Sequence, residues 1–198
     1  MNTNYQKQLD DILASLPEGK RLLLHSCCAP CSSYVLEYLS RYFSVTVFYY
    51  NPNITEAEEY RRRADEQMRL IREMPAAQPV AFLEGGYEPD KYFAAVRGRE
   101  NAPEGGERCR VCFDLRLSKT AYEAAARGFD YFTTTLTISP LKDAALINET
   151  GRAAAEKYHV AWLPCDFKKK DGYKRSIELS AQYGLYRQNY CGCVFSKR

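Results

Sequence analysis

Residues 22–39 read LLLHSCCAPCSSYVLEYL: an apolar run, a histidine, three cysteines within one turn, and then a helical pattern. Arg21 to His25 predicts a short buried strand, and Ser32 to Arg41 predicts a helix. The thiols of Cys27, Cys28 and Cys31 therefore sit where the carboxyl end of a strand passes into a helix. Three thiols in such a turn suit a disulfide staple, a redox dithiol or a set of metal ligands. The rest of the chain has to separate these readings.

The strand-then-helix pattern recurs outward from this point. Val45 to Tyr50 predicts a second strand, stopped by the turn residues Asn51-Pro52-Asn53. Thr55 with Glu58 reads as a capping box opening a charged helix to about Met74. Val80 to Leu83 predicts a third strand before Gly85-Gly86, with a helical stretch near Asp90 to Val96. Cys109 and Cys112 open a helix to Arg127, with Val111, Leu115, Tyr122 and Phe129 as its apolar stripe. Tyr131 to Thr135 is the fourth strand, followed by LTISP and a helix from about Leu141 to Tyr158. Val160 to Leu163 is the fifth, and a last helix lies near Arg175 to Tyr183.

Such alternation predicts an α/β fold, a mainly parallel sheet flanked by helices, with a cysteine-rich C-terminal segment. The 198 residues form one expected domain, residues 1–20 being an N-terminal helical extension ahead of a core from 21 to 195. Ligands of open α/β sheets bind at the carboxyl ends of the strands. Here those ends carry Cys27 to Cys31, Asn51 to Asn53, Leu136 to Pro140, and Pro164 to Lys170. The unusual residues fall where the fold places a site.

Compartment sets the prior on disulfides. The opening MNTNYQKQLDDILASLPEGK has no uninterrupted apolar segment and no small-residue cleavage site, and no run approaches the ~18 residues of a membrane span. The expectation is a cytoplasmic protein with no membrane partner, where thiols stay reduced. Eight cysteines in that setting point to metal binding or catalysis rather than bridges. The net charge of +3 does not announce nucleic acid. KKKDGYKR, residues 168–175, is more basic, although a charge run is usually a solvated face. GRENAPEGGER, residues 98–108, is the most loop-like stretch and leads into Cys109.

Cys109-x-x-Cys112 supplies a thiol pair at a helix start, where the helix dipole favours thiolate. In Cys191-Gly-Cys193, Gly192 lets the backbone fold so that both thiols face one target. With Cys27, Cys28 and Cys31 this makes seven candidate ligands, too many for one tetrahedral zinc. Seven fits a four-iron cluster on four thiolates with one further metal ion on three. Cys165 stands alone after a strand and reads as a buried small hydrophobe. A thioredoxin-like dithiol at Cys28-Ala-Pro-Cys31 matches the strand–helix context, but leaves Cys27 and the two later pairs unexplained.

HSCCAPC (25–31), NPNI (51–54) followed by EEYRRR (58–63), CRVCFDLRL (109–117), TTLTISPLK (134–142), DFKKKDGYKRSIELS (166–180) and YRQNYCGCVFS (186–196) together carry a resemblance. From Arg21 to Phe195 the chain resembles the cobalamin-independent epoxyqueuosine reductases of the QueH type. The resemblance implies a HUP (adenine nucleotide alpha-hydrolase-like) fold and reduction of epoxyqueuosine to queuosine at the tRNA wobble position, the last step of queuosine biosynthesis. It implies a 4Fe–4S cluster with an adjacent iron ion, held by the seven clustered cysteines. In relatives the last position of the first motif can be Asp, where this chain has Cys31.

Converting an epoxide to an alkene takes two electrons and two protons and releases water. A cluster passes electrons singly, and an iron with an open position can act as a Lewis acid towards the epoxide oxygen. Cysteines stand where nucleotide-binding relatives carry a Gly-rich phosphate loop, so no ATP requirement is expected, and the resemblance implies no cobalamin. The expected partners are tRNA with a GUN anticodon and an electron donor such as ferredoxin or flavodoxin. Lys168, Lys169, Lys170, Lys174, Arg175 and Arg187 are candidate tRNA contacts, and Gln188 and Tyr190 candidate contacts of the modified base. His25 is a candidate donor to a sulfur or a proton path, or else a satisfied strand-end histidine, and His159 reads as structural. The competing classes are the dithiol oxidoreductase and a non-catalytic metal-binding, RNA-binding protein.

Overall fold

Leu22, Leu23 and Leu24 are wholly buried because β1 (Arg21–His25) is the centre of the sheet, paired on both edges. A computed structural model describes residues 3–197. The other strands are β2 (Ser44–Tyr49), β3 (Ala81–Glu84), β4 (Tyr131–Thr134) and β5 (Ala161–Trp162). All pairings are parallel, in the order β3-β2-β1-β4-β5. His25 stands opposite Phe48 on one side and Thr134 on the other. The α/β expectation is met. The order reverses between β1 and β4, the switch point at which doubly wound sheets open a crevice at their carboxyl ends.

Among the described residues seven α-helices accompany these strands: α1 (Tyr5–Ala14), α2 (Ala29–Leu39), α3 (Ala57–Glu73), α4 (Pro89–Val96), α5 (Glu107–Ala126), α6 (Ala144–Tyr158) and α7 (Gly172–Gln182). Leu9 and Leu13 of α1 join the same buried cluster as Leu22 to Leu24. No helix among the described residues is long and apolar enough to cross a membrane.

Several boundaries differ from the sequence expectation for local reasons. α2 starts at Ala29 rather than Ser32, because Pro30 pre-sets the first helical turn; this draws Cys31 into the helix. The capping box at Thr55 does not form. The residue before α3 is Glu56, without a side-chain cap, and Thr55 instead spends its backbone on Gly192 and on the Tyr87 hydroxyl. α6 starts at Ala144 rather than Leu141, since Asp143 accepts from the N–H groups of Ala145 and Leu146. That leaves Leu141 and Lys142 in a loop. β4 gives way to a 3-10 turn at Thr135–Ile138, capped by the Thr134 hydroxyl.

The expected apolar stripe of α5 is also displaced. Tyr122 is exposed, whereas Cys112, Phe113, Arg116, Leu117, Thr120, Ala121 and Ala124 are buried. The inward face carries an arginine and a threonine, whose hydroxyl donates back to the Arg116 carbonyl at 2.8 Å. A polar face inside reverses the usual signal. His159 closes α6 in the left-handed conformation, which gives it the structural role expected.

Gly151 of α6 lies against the Trp162 indole, and a Cβ there would fall 2.5 Å from the ring. The indole cannot retreat freely, because its N–H donates to Asn148 Oδ1 at 3.0 Å, which also accepts from Cys165 N. Gly151→Ala is expected to destabilise the fold by about 1–3 kcal/mol through overpacking. Urea unfolding checks this; an unchanged midpoint would contradict it.

Candidate metal centre

The turn after β1 is built on buried hydroxyls. Ser26 and Ser32 each place Oγ 2.7 Å from Gln67 Oε1 of α3, and Asn51 Nδ2 donates to the Ser26 carbonyl at 2.9 Å. Cys27 N donates to Thr135 Oγ1 at 3.3 Å, across the switch point. So fixed, the Cys27, Cys28 and Cys31 sulfurs lie within 4.8 Å of one another. Hydrogen bonds from Cys28 and Cys31 hold the Cys27 thiol well below its ordinary range. The same contacts push Cys28 up to about 12 and raise Cys31. Gln188 Nε2 donates to Cys28 Sγ at 2.9 Å.

The other pairs meet elsewhere. Cys109 sits in the first turn of α5, its sulfur accepting from Gly105 N–H at 3.2 Å. Cys112 follows one turn on, and burial pushes its thiol up to about 12. The Tyr92 hydroxyl lies 2.7 Å from Cys193 Sγ. Cys109, Cys112, Cys191 and Cys193 all line one cavity of about 110 Å³. Next to it an open cleft of about 410 Å³ is lined by Cys27, Cys31 and again Cys191. Lys142 and Glu104 border both spaces.

What brings the last pair home is Arg63 of α3. Only 2% exposed, its guanidinium pairs with Glu59 at 2.6 Å and donates to the carbonyls of Cys191 (3.2 Å) and Tyr190 (3.3 Å). Asn53 of the turn after β2 adds a bond to Cys191 O at 3.3 Å. Gly192 has φ +103°, and a Cβ there would lie 2.7 Å from Ile54. Only glycine passes at this point.

All eight cysteines are free thiols, so no disulfide staple exists among the described residues. Four thiols line one cavity and three group beside it, and the group of three is a soft donor set that could hold a metal ion. Cys165 is apart: wholly buried, it accepts from the Thr133 and Thr137 hydroxyls, and burial raises its thiol to about 11.

His25 lines neither space. Its Nδ1 is 2.7 Å from Thr134 Oγ1 and its Nε2 is 3.1 Å from Tyr50 O and 3.3 Å from Arg116 Nε. Burial, then Arg116, pulls it down to about 3, so the ring is neutral. Tyr190, Arg187 and Gln188 line the cleft, while Lys168 to Lys170, Lys174 and Arg175 do not. In that run Lys168 pairs with Asp166, Lys170 with Asp10, and Arg175 with Glu37 and Glu178. Lys169 and Lys174 are exposed and make no ion pair among the described residues. Arg63, Arg116 and Lys142 were not singled out by sequence reasoning. Their signal was position: Arg116 lies one turn after Cys112, and Lys142 follows the end of β4.

The family described as epoxyqueuosine reductase QueH matches residues 22–198. The chain is 49% identical over 207 residues to the Epoxyqueuosine reductase QueH of Streptococcus pyogenes serotype M1, covering 100% of this chain and 81% of that protein. It is 44% identical to the protein of that name from Staphylococcus epidermidis, over 98% of this chain and 84% of the relative. A more distant one, from Thermotoga maritima, is 36% identical over 88% of this chain and 89% of its own length.

Two outcomes follow for the metal-free protein. Arg63→Met removes the Glu59 carboxylate's ion-pair partner, leaving it the Tyr186 hydroxyl, and should cost about 3 kcal/mol, with faster alkylation of Cys191 and Cys193. Unchanged labelling of both would contradict the clamp. At neutral pH Cys27 should alkylate ahead of Cys28 and Cys31, because the reactive species is the thiolate and Cys27 keeps it to lower pH. Mass mapping of the labelled peptides reads the order, and Cys28 leading would refute it.

Proposed function

The chain belongs to the epoxyqueuosine reductase QueH family, and on that premise we propose that it reduces epoxyqueuosine to queuosine at the wobble position of tRNA. The observation that carries this reading is the convergence of six thiols, from three distant segments, on a cavity and cleft sharing one rim at the switch point, with the Cys28 sulfur grouped beside two of them. Cys109, Cys112, Cys191 and Cys193 would hold a 4Fe–4S cluster. Cys27, Cys28 and Cys31 would hold an additional iron facing the cleft. Bound there, the cluster supplies electrons one at a time and the iron an electrophile for the epoxide oxygen.

The chain's own residues would bind and orient the substrate. An anticodon base turned out of its stack enters an open cleft more readily than an enclosed cavity, and aromatic faces hold such bases. Tyr173 and Tyr190 line the cleft for this purpose, with Gln188 and Asn189 beside them to read base edges. Arg187 would meet a phosphate at the cleft wall. Lys169 and Lys174 would meet phosphates farther out, and Lys168, Lys170 and Arg175 would exchange carboxylates for phosphates. A cytoplasmic location, a donor such as ferredoxin or flavodoxin, and independence of cobalamin and ATP complete the proposal.

The test is chemical. Anaerobic, iron-loaded protein with dithionite and epoxyqueuosine-containing tRNA should yield a nucleoside lighter by one oxygen, without cobalamin or ATP. Lys169→Ala with Lys174→Ala should weaken tRNA binding and reduce its salt slope by about 1.4–1.8, two phosphate contacts' worth. A loaded protein that binds this tRNA yet never removes the oxygen would leave an RNA-binding iron–sulfur protein instead.

A further inference from the structure

Beneath the thiols lies a charge that no carboxylate among the described residues pairs with. Arg116 is 1% exposed, and its guanidinium cannot shed its proton. It faces His25 Nε2 at 3.3 Å, donates to Asn51 Oδ1 at 2.7 Å, and reaches Cys112 Sγ at 3.9 Å. No carboxylate pairs with it: every ion pair among the described residues involves other groups. Arg63, equally buried, has Glu59; Arg116 has a neutral imidazole, an amide and a thiol. An isolated buried cation is costly, so negative charge has to lie beside it.

A second cation repeats the pattern from the opposite side. Lys142 is half-buried on the loop before α6, borders both the cavity and the cleft, and also makes no ion pair among the described residues. Negative charge on the sulfurs of Cys191, Cys27 and Cys31 would favour the Lys142 ammonium against burial, and negative charge on those of Cys112, Cys191 and Cys27 would favour Arg116. Cys191 and Cys27 thus lie in the field of both cations.

We propose that Arg116 and Lys142 are the built-in counter-charges of the metal–thiolate centre and set its reduction potential, Arg116 from below and Lys142 from the rim. The inference rests on the iron–sulfur reading above. Thiolates bound to iron carry permanent negative charge, and each added electron increases it. Fixed positive charge in a poorly solvated site favours the reduced state, and a hydrogen bond to a ligand sulfur acts in the same sense. Arg116 lines neither the cavity nor the cleft, so it acts through the centre and is a positioning residue.

The test is a redox titration, followed by electron spin resonance, of wild type, Arg116→Gln, Arg116→Lys and Lys142→Met, each with iron and sulfide counted first. Arg116→Gln keeps hydrogen-bonding capacity but not charge. At fixed ambient potential its reduced-to-oxidised ratio should fall at least tenfold, about 59 mV for a one-electron couple. Arg116→Lys should stay within about threefold of wild type, and Lys142→Met should shift in the same direction as Arg116→Gln. A fully loaded Arg116→Gln at the wild-type potential overturns the proposal, as does an equal shift in Arg116→Lys. If Arg116→Gln does not load, Lys142→Met decides: a fall supports the proposal, and an unchanged potential overturns it. Wild type without iron and sulfide would instead sink the cluster reading itself.

Discussion

Two carbonyls of the C-terminal loop, those of Tyr190 and Cys191, hang on the guanidinium of Arg63. The arginine spans 128 residues of sequence in that contact, and Glu59 makes its burial tolerable. Through it the last two thiols reach a cavity whose other wall is α5. The clamp works only with a bare backbone at Gly192, because Ile54 and Arg63 fill the space a side chain would take. Without that bond the first five thiols would still be assembled, but the cavity would lack a wall.

The edge of the sheet solves a related problem. Doubly wound folds leave unsatisfied groups at the carboxyl ends of their strands, and many satisfy them with a bound phosphate. Here the turn after β1 is braced by Ser26, Ser32 and Gln67 and filled with sulfur. The polar floor extends through Asn51 and His25 to Arg116. Two cations without carboxylate partners among the described residues, Arg116 and Lys142, frame this assembly, an arrangement that is uneconomical unless the thiols carry charge together. In the proposed reading Cys191, on the shared rim, connects the electron store to the site facing substrate.

The parallel sheet and the strand ends were legible in the sequence because buried β-branched and aromatic runs alternate with helical patterns and stop at turn residues. The three clusters of cysteines, at 27–31, 109–112 and 191–193, were legible too, from spacing. Which of them line one cavity and which gather after β1 was not, since that depends on where α5 and the C-terminal loop pack. Tertiary contacts also overrode local signals: Thr55 gave up its cap to tether Gly192, and α5 turned Arg116 and Thr120 inward. The basic run looked uniformly available. Asp10, Glu37 and Asp166 occupy three of its members, and two of those acids are far away in sequence.

The central claim is a division of labour among sulfurs, and Mössbauer spectroscopy of anaerobically iron-loaded protein tests it most directly. The spectrum should resolve a 4Fe–4S component and a single-iron component in a ratio of about four to one. Cys31→Ser should diminish only the single-iron component, and Cys112→Ser should abolish the cluster. A single-iron signal that survives Cys31→Ser while the cluster disappears would contradict the account.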